Sequence, residues 1–289
     1  MRQFSYLEPD TLEETFELLG RYGDDAKVIA GGTALVNFMK NQLVQPRFVI
    51  GLRRLKSLTA ISYKDGLQIG ALATLHTIET SQLVANHAPL LTQACRLVAT
   101  IRIRMMATLG GAVSHADPAL DTPPALLACD AHIEVRSDRA TRIVPAHSFF
   151  VSIFETVLEP DELVSQIFIP PQPKESGTAF IKFLPASHDD YSTVSVAARV
   201  TLADGEISDA RIALGAVGPT VVRAEQAERA LRGMKPNEDN FYAAAELAAA
   251  DLEPFDDFRG SADYKREMSA VHVRRALLAA TAAATPARR

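Results

Sequence analysis

Ala107-Thr108-Leu109-Gly110-Gly111-Ala112-Val113-Ser114-His115-Ala116-Asp117-Pro118-Ala119-Leu120-Asp121 decides how the rest of the chain is read. Two glycines after a hydroxyl residue let the backbone approach a ligand with no Cβ in the way, and successive N–H groups there form an anion-binding concavity. Ten residues beyond Gly111, Asp121 follows Asp117-Pro118 and precedes Pro123-Pro124, so a turning chain presents carboxylates near that concavity. The pattern suits a phosphorylated cofactor. A second copy strengthens the reading. Val28-Ile29-Ala30-Gly31-Gly32-Thr33-Ala34-Leu35 again sets an apolar strand before two glycines, a threonine and a helix start. Read as two strand-to-glycine turns, the pair would grip a pyrophosphate from two sides. Neither copy is a Walker loop, which needs Gly-Lys-Ser or Gly-Lys-Thr, nor the three spaced glycines of a βαβ dinucleotide fingerprint.

Composition narrows the partners. The 289 residues are 47% hydrophobic, enough for two or three packed cores, and the net charge of -5 comes without a long basic run, so nucleic acid is not expected as a partner. The first residues lack an apolar signal core and no run approaches the length of a membrane span, so a cytoplasmic location without a membrane span is expected. Cys95 and Cys129, the two cysteines, build neither a disulfide framework nor a metal or iron–sulfur site. His76, His87, His115, His132 and His147 show no metal-ligand spacing and read as ordinary histidines. No metal site is expected on this chain.

Outward from the glycine pairs, hydrophobic periodicity and turn residues divide the chain in three. Residues 1–56 read as a first α+β lobe: a strand at Phe4–Tyr6, a helix capped by Thr11 or Asp10, strands at Lys27–Ala30 and Phe48–Gly51, and a helix at Leu35–Asn41 between them. Residues 57–172 read as a second lobe. It opens with a hairpin of Leu58–Ser62 and Leu67–Gly70, continues through helices at Thr77–Val84, Leu90–Ala99 and Pro123–Ala128, and closes with strands at His132–Arg136, Thr141–Val144 and Glu162–Ile169. Pro170-Pro171 and Pro173 begin a linker, and residues 177–286 read as a separate domain of three strands, Thr178–Phe183, Ser192–Leu202 and Ala210–Ala216, followed by helices. On the last helix, Arg266, His272, Arg274 and Arg275 read as a basic side, and Met268, Val271, Leu277 and Leu278 as an apolar stripe packing on its own domain. The tail after Pro286 is expected to be exposed.

Both glycine pairs, the His115-Ala116-Asp117-Pro118 step, Asp121, Ile101-Arg102-Ile103-Arg104 and the terminal Tyr264-Lys265-Arg266-Glu267 occur in an order that resembles the FAD-binding medium subunits of the molybdenum hydroxylases, over essentially the whole chain. The resemblance implies an α+β protein: a two-lobed FAD-binding domain of the vanillyl-alcohol-oxidase or p-cresol-methylhydroxylase type, then a small C-terminal α+β domain with a three-stranded antiparallel sheet and helices. It implies FAD between the lobes, with Ala30 to Ala34 and Thr108 to Ala112 at the diphosphate and the flanking Ile29, Leu35, Leu109, Ser114 and Asp117 in the same set. Asp121 matches a carboxylate that hydrogen-bonds the ribityl or ring region. Val164 and Lys182 fall beside the isoalloxazine, and Tyr191, in Asp189-Asp190-Tyr191, covers one ring face.

No residue of this chain is implied as nucleophile or general base. The molybdenum cofactor would sit in a large molybdopterin-binding subunit and the two [2Fe–2S] clusters in a small subunit, with the assembly paired as (αβγ)2. There are departures: Ala34 stands where the family usually has Ser, Ala112 where it has Asn, and Met105 and Met106 replace polar residues. The inserted cysteine cluster of the hydroxybenzoyl-CoA reductase branch is absent. A self-contained flavin oxidoreductase and a non-redox scaffold that kept the fold stay open as readings of the residues.

Overall fold

A capped amphipathic helix begins the first lobe. Thr11 Oγ1 accepts the Glu14 N–H at 3.1 Å, while the Glu14 carboxylate reaches back to the Asp10 N–H at 2.8 Å. The helix, α1 (Leu12–Tyr22), buries Leu12, Thr15, Phe16 and Leu19, the i, i+3, i+4, i+7 face, against Ile50 and Leu52. The strands β1 (Ser5–Leu7), β2 (Ala26–Ile29) and β3 (Phe48–Gly51) form a parallel sheet of order β1-β3-β2, and α2 (Leu35–Lys40) crosses between β2 and β3. The computed structural model describes residues 2–185, 187 and 190–284; Asp189 and the tail after Pro286 lie outside the described residues.

The second lobe is a five-stranded antiparallel sheet with a helical insertion. Its strands β4 (Ile61–Tyr63), β5 (Leu67–Gly70), β6 (His132–Arg136), β7 (Thr141–Pro145) and β10 (Leu163–Ile169) take the order β4-β5-β10-β6-β7, and β8 (Phe150–Ser152) pairs with β9 (Glu155–Thr156) as a small hairpin beside it. The helices are α3 (Leu75–Thr80), α4 (Gln82–His87), α5 (Pro89–Leu97), α6 (Ile101–Arg104), α7 (Leu109–His115) and α8 (Thr122–Ala128).

Three local readings of the sequence change here. Leu58 and Thr59 lie in a 3-10 turn, so β4 starts later, at Ile61. The helix expected over Thr77–Val84 is two helices, because Ser81 closes α3 and its hydroxyl accepts the Val84 N–H that opens α4. Gly110-Gly111 is not a turn after a strand: it lies in the first helical turns of α7, because Thr108 Oγ1 caps Gly111 N at 3.1 Å. Glycine is required at 110, where a Cβ would come within 2.5 Å of Ala71 Cβ.

In the C-terminal domain, β11 (Ser176–Phe183), β12 (Val194–Ala203) and β13 (Glu206–Gly215) are the three expected strands, and a two-residue β14 (Val222–Arg223) is added at the edge. β12 is buried on both faces. Val196, Ala198 and Val200 face α9 (Glu225–Leu231), α10 (Glu238–Ala250) and α11 (Ala262–Ala284), while Ala197 joins the core of the second lobe under α5 and α8. That is why its apolar run does not alternate with polar residues.

Polar residues lock the same contact. Asp130 receives Arg199 at 2.9 Å, Arg211 at 3.0 Å and Arg223 at 3.0 Å, and Gln172 bonds both the Cys129 carbonyl and Arg199. The last helix does pack on its own domain, and of the stripe read from the sequence Leu277 is buried and Met268 packs against the same core, whereas Leu278 does not. Lys265, Ser269, His272, Val273, Ala276, Leu277 and Ala280 are buried, while Leu278 is 37% exposed. His272 does not belong to a basic side: its ring lies 4.5 Å from that of Phe183, and burial, aided by the Arg275 charge, pushes its pKa down to about 4.

Candidate functional site

The two glycine segments meet. Gly31 sits so close to the Met106 carbonyl that a Cβ there would be 1.8 Å from the oxygen, and a Cβ on Gly111 would come within 3.9 Å of Ala30 Cβ. Their junction forms one wall of a cleft of about 610 Å³, within the range of cofactor pockets. The segments are not equivalent. After Gly32, whose φ of +72° suits glycine, the chain enters α2, and the N–H groups of residues 31 to 34 find no acceptor among the described residues. In the second segment, Leu109 N and Gly110 N donate to Ala73 and Ala71 carbonyls at 3.0 and 2.9 Å, and Gly111 and Ala112 donate to Thr108. Free donors therefore line up on the first segment; the second supplies close backbone and rigidity.

The far end is ionic. Lys182 Nζ donates to Asp121 Oδ2 at 2.7 Å and to the Leu97 carbonyl at 3.0 Å, with both side chains almost fully buried. Asp121 Oδ1 is buried with no hydrogen-bond partner. Burial raises the Asp121 pKa to about 6 against the opposing charge and hydrogen bond of Lys182. At the mouth, Tyr191 lies 5.5 Å from the Arg259 guanidinium, which also pairs with Asp190 at 2.8 Å.

Ile29, Ala30, Gly31, Gly32, Thr33, Ala34, Leu35, Thr108, Gly110, Gly111, Ala112, Ser114, Asp121, Val164, Lys182 and Tyr191 line this cleft. Leu109 and Asp117 do not. Leu109 is fully buried in the core of the second lobe, and the Asp117 carboxylate turns back to accept the Ala119 N–H at 2.9 Å. Several lining residues were not proposed as binding residues from the sequence. His115, read as ordinary, lines the cleft together with Phe38, and the tip residue Phe154 closes a three-ring cluster with them at centroid distances of 5.0 to 5.2 Å. Burial lowers the pKa of His115. Glu162, also on the wall, accepts hydrogen bonds from Arg142 Nε at 2.8 Å and Nη2 at 2.6 Å. No spacing marks these residues, because the β8–β9 hairpin and β7 bring them from distant parts of the chain.

These residues fit a flavin dinucleotide. The unpaired N–H groups at one end suit a diphosphate, apolar walls follow, and at the other end stands a carboxylate oxygen without a partner beside a buried ammonium. Residues 2–172 match the family described as the FAD binding domain in molybdopterin dehydrogenase, and residues 179–280 match the CO dehydrogenase flavoprotein C-terminal domain. The chain belongs to the FAD-binding subunits of the molybdopterin dehydrogenases. It is the FAD-carrying subunit of an oxidoreductase.

Among relatives of this flavoprotein family, the carbon monoxide dehydrogenase medium chain of Hydrogenophaga pseudoflava is 35% identical over 97% of this chain and 98% of its own. The 6-hydroxypseudooxynicotine dehydrogenase complex subunit alpha of Paenarthrobacter nicotinovorans is 34% identical over 98% and 96%. A solved structure of the Hydrogenophaga enzyme, in a form lacking the Mo-pyranopterin moiety, superposes with a TM-score of 0.95 at 37% identity, covering 97% of this chain and 98% of that one. Among the described residues no helix is long and apolar enough to cross a membrane.

Proposed function

We propose that this chain is the electron exit of a cytoplasmic molybdenum hydroxylase. It takes electrons from the [2Fe–2S] clusters of a small subunit, while the substrate is oxidised on a large molybdopterin-binding subunit, and it passes them to an external acceptor in an (αβγ)2 assembly. The observation that carries the reading is one cleft with free N–H donors at one end and the Asp121–Lys182 pair at the other. FAD, when bound, supplies the one- and two-electron chemistry.

The chain's own residues bind and tune it. The N–H groups of residues 31 to 34 take the diphosphate oxygens, so the missing hydroxyl at Ala34 and amide at Ala112 remove only side-chain hydrogen bonds of about 0.5 to 1.5 kcal/mol each. Asp121 Oδ1 accepts a hydrogen bond from the ribityl chain or the ring, and Lys182 holds a positive charge where reduction adds electrons. Val164 packs against the ring and Tyr191 shields its outer face. Two carboxylates of the cleft wall are each held by a cation, Asp121 by Lys182 and Glu162 by Arg142, which favours a transfer role over direct chemistry on a substrate.

The test is the visible absorption spectrum of the purified chain, with identification of the compound released by heat. A flavin spectrum, FAD in the supernatant, co-purification of two partner chains, and substrate hydroxylation by the complex but not by this chain alone are expected. A colourless chain that FAD does not reconstitute overturns the reading. A chain that hydroxylates a substrate without partners favours a self-contained oxidoreductase instead.

FAD binding should depend on pH with a definite sign. In the free chain Asp121 holds its proton up to about pH 6. A hydrogen bond donated to Oδ1 favours the ionised form, so the bound chain holds that proton less tightly and binding releases it. FAD affinity therefore rises as pH climbs toward about 6 and levels off above it. Titrations by flavin fluorescence from acid to neutral pH check this, and Asp121→Asn should flatten the profile.

A further inference from the structure

Arg104 lies outside the cleft wall, yet its contacts end there. Its guanidinium is 15% exposed and sits 3.0 Å from the carboxylate of Glu79, itself only 7% exposed and held on its other oxygen by His76 at 2.6 Å. From that anchor, Arg104 Nη1 donates to the carbonyls of Val98 and Ala99 at 2.9 and 3.0 Å. Both residues line the cleft, and Ala99 holds a φ of +37°, a conformation that an alanine keeps only when its surroundings impose it. The preceding carbonyl, that of Leu97, is the second acceptor of Lys182. The turn of residues 97 to 99 is thus held by Arg104 on one side and carries the Lys182 ammonium on the other.

We propose that Arg104, fixed by Glu79, is a positioning residue for the Lys182–Asp121 pair: by imposing the turn at 97–99 it sets where the ammonium stands against the flavin. The inference rests on the reading that Lys182 faces the bound FAD. A guanidinium suits the task because its extended charge stands against the Glu79 carboxylate along the Nε edge while Nη1 donates to two carbonyls, whereas a lysine ammonium is a single point charge that serves Glu79 or the carbonyls. Without the clamp, the strained turn relaxes, the Leu97 carbonyl moves, and the ammonium loses one of its two fixed acceptors.

The experiment compares Arg104→Lys, Arg104→Met, Lys182→Met and the double variant of Arg104→Lys with Lys182→Met as FAD-loaded proteins. It measures thermal stability, FAD affinity and the flavin midpoint potential. Lys182→Met removes a cation beside the ring and lowers the potential. Arg104→Lys is expected to keep most of the stability that Arg104→Met loses, because Glu79 stays paired. It should still lower the potential and weaken FAD binding roughly tenfold, the equivalent of one hydrogen bond to a charged group. In the double variant its effect on the potential should largely vanish, since both changes act through one ammonium.

A wild-type potential and affinity in Arg104→Lys, or an effect that adds in full to that of Lys182→Met, overturns the inference and leaves only a structural role. A Lys182→Met protein with an unchanged potential overturns the placement of Lys182 beside the flavin instead.

Discussion

Gly31→Ala is expected to abolish FAD retention and to destabilise the apoprotein by about 3 kcal/mol or more, the upper end of overpacking costs. The added methyl would stand 1.8 Å from the Met106 oxygen, 2.6 Å from its carbonyl carbon and 3.1 Å from Ala107 Cα. All three are backbone atoms, so no side chain can swing away. Relief requires the two glycine segments to part, and with them the wall of the cleft. Gly111→Ala is the matched control. Its methyl meets only the capping hydroxyl of Thr108, at 2.9 Å, and Ala30 Cβ at 3.9 Å, in a helix where alanine is intrinsically better by about 0.5 to 1 kcal/mol. That variant should fold, losing at most about 1 kcal/mol where the capping hydroxyl is pushed aside, and bind FAD more weakly by narrowing the cleft. Thermal unfolding of the FAD-free proteins and flavin fluorescence titration read both effects. Native stability and full FAD content in Gly31→Ala would mean that the segments separate freely.

The second large effect lies away from the cleft, where the domains join. Asp130→Ala should cost about 3 to 5 kcal/mol, because it leaves Arg199, only 4% exposed, without its shorter carboxylate contact, and removes one partner each from Arg211 and Arg223. Urea denaturation measures this. Arg232→Ala, which removes a contact from a half-exposed arginine to Asp209, should change stability by less than about 1 kcal/mol.

The acid limb of stability follows the same cluster. Burial would raise the Asp130 pKa, but the charge and hydrogen bond of Arg199, then Arg211 and Arg223, hold it below the usual carboxylate range. A depressed value means that its contribution is complete above the unfolded-state pKa and is lost as pH falls through the folded one. Asp130→Asn should therefore lower stability at neutral pH and reduce the difference from the native protein in strong acid. Equal losses at both pH values would refute the assignment.

Local patterns carried much of this protein. The parallel strand Phe48–Gly51, the hairpin arm Leu67–Gly70 and the capped helix after Thr11 are legible because alternation, turn residues and caps act within a few residues of themselves. The glycine pairs and Asp121 were legible as parts of one cleft wall for the same reason: two adjacent residues without side chains, or a carboxylate between prolines, announce themselves. Even so, a local cap turned Gly110-Gly111 into helix, since the Thr108 hydroxyl satisfies a donor that a strand-to-turn reading leaves open.

Long-range partners decided the rest. Nothing near Lys182 in sequence says that its ammonium reaches Asp121, 61 positions away, or that Leu97 holds it from the other side. The misplaced part of the stripe on the last helix has the same origin: Leu278 and Leu277 are equally apolar, and only the sheet beneath chooses which is buried. The sequence by itself determined where the backbone has room for close approach and which segments form strands and helices, because those depend on steric freedom and periodicity along the chain. Only the tertiary structure decided which N–H groups stay free, which carboxylate oxygen is left unpaired, and which arginine holds the turn beside it. Hydrogen-bond satisfaction and burial are properties of neighbours in space.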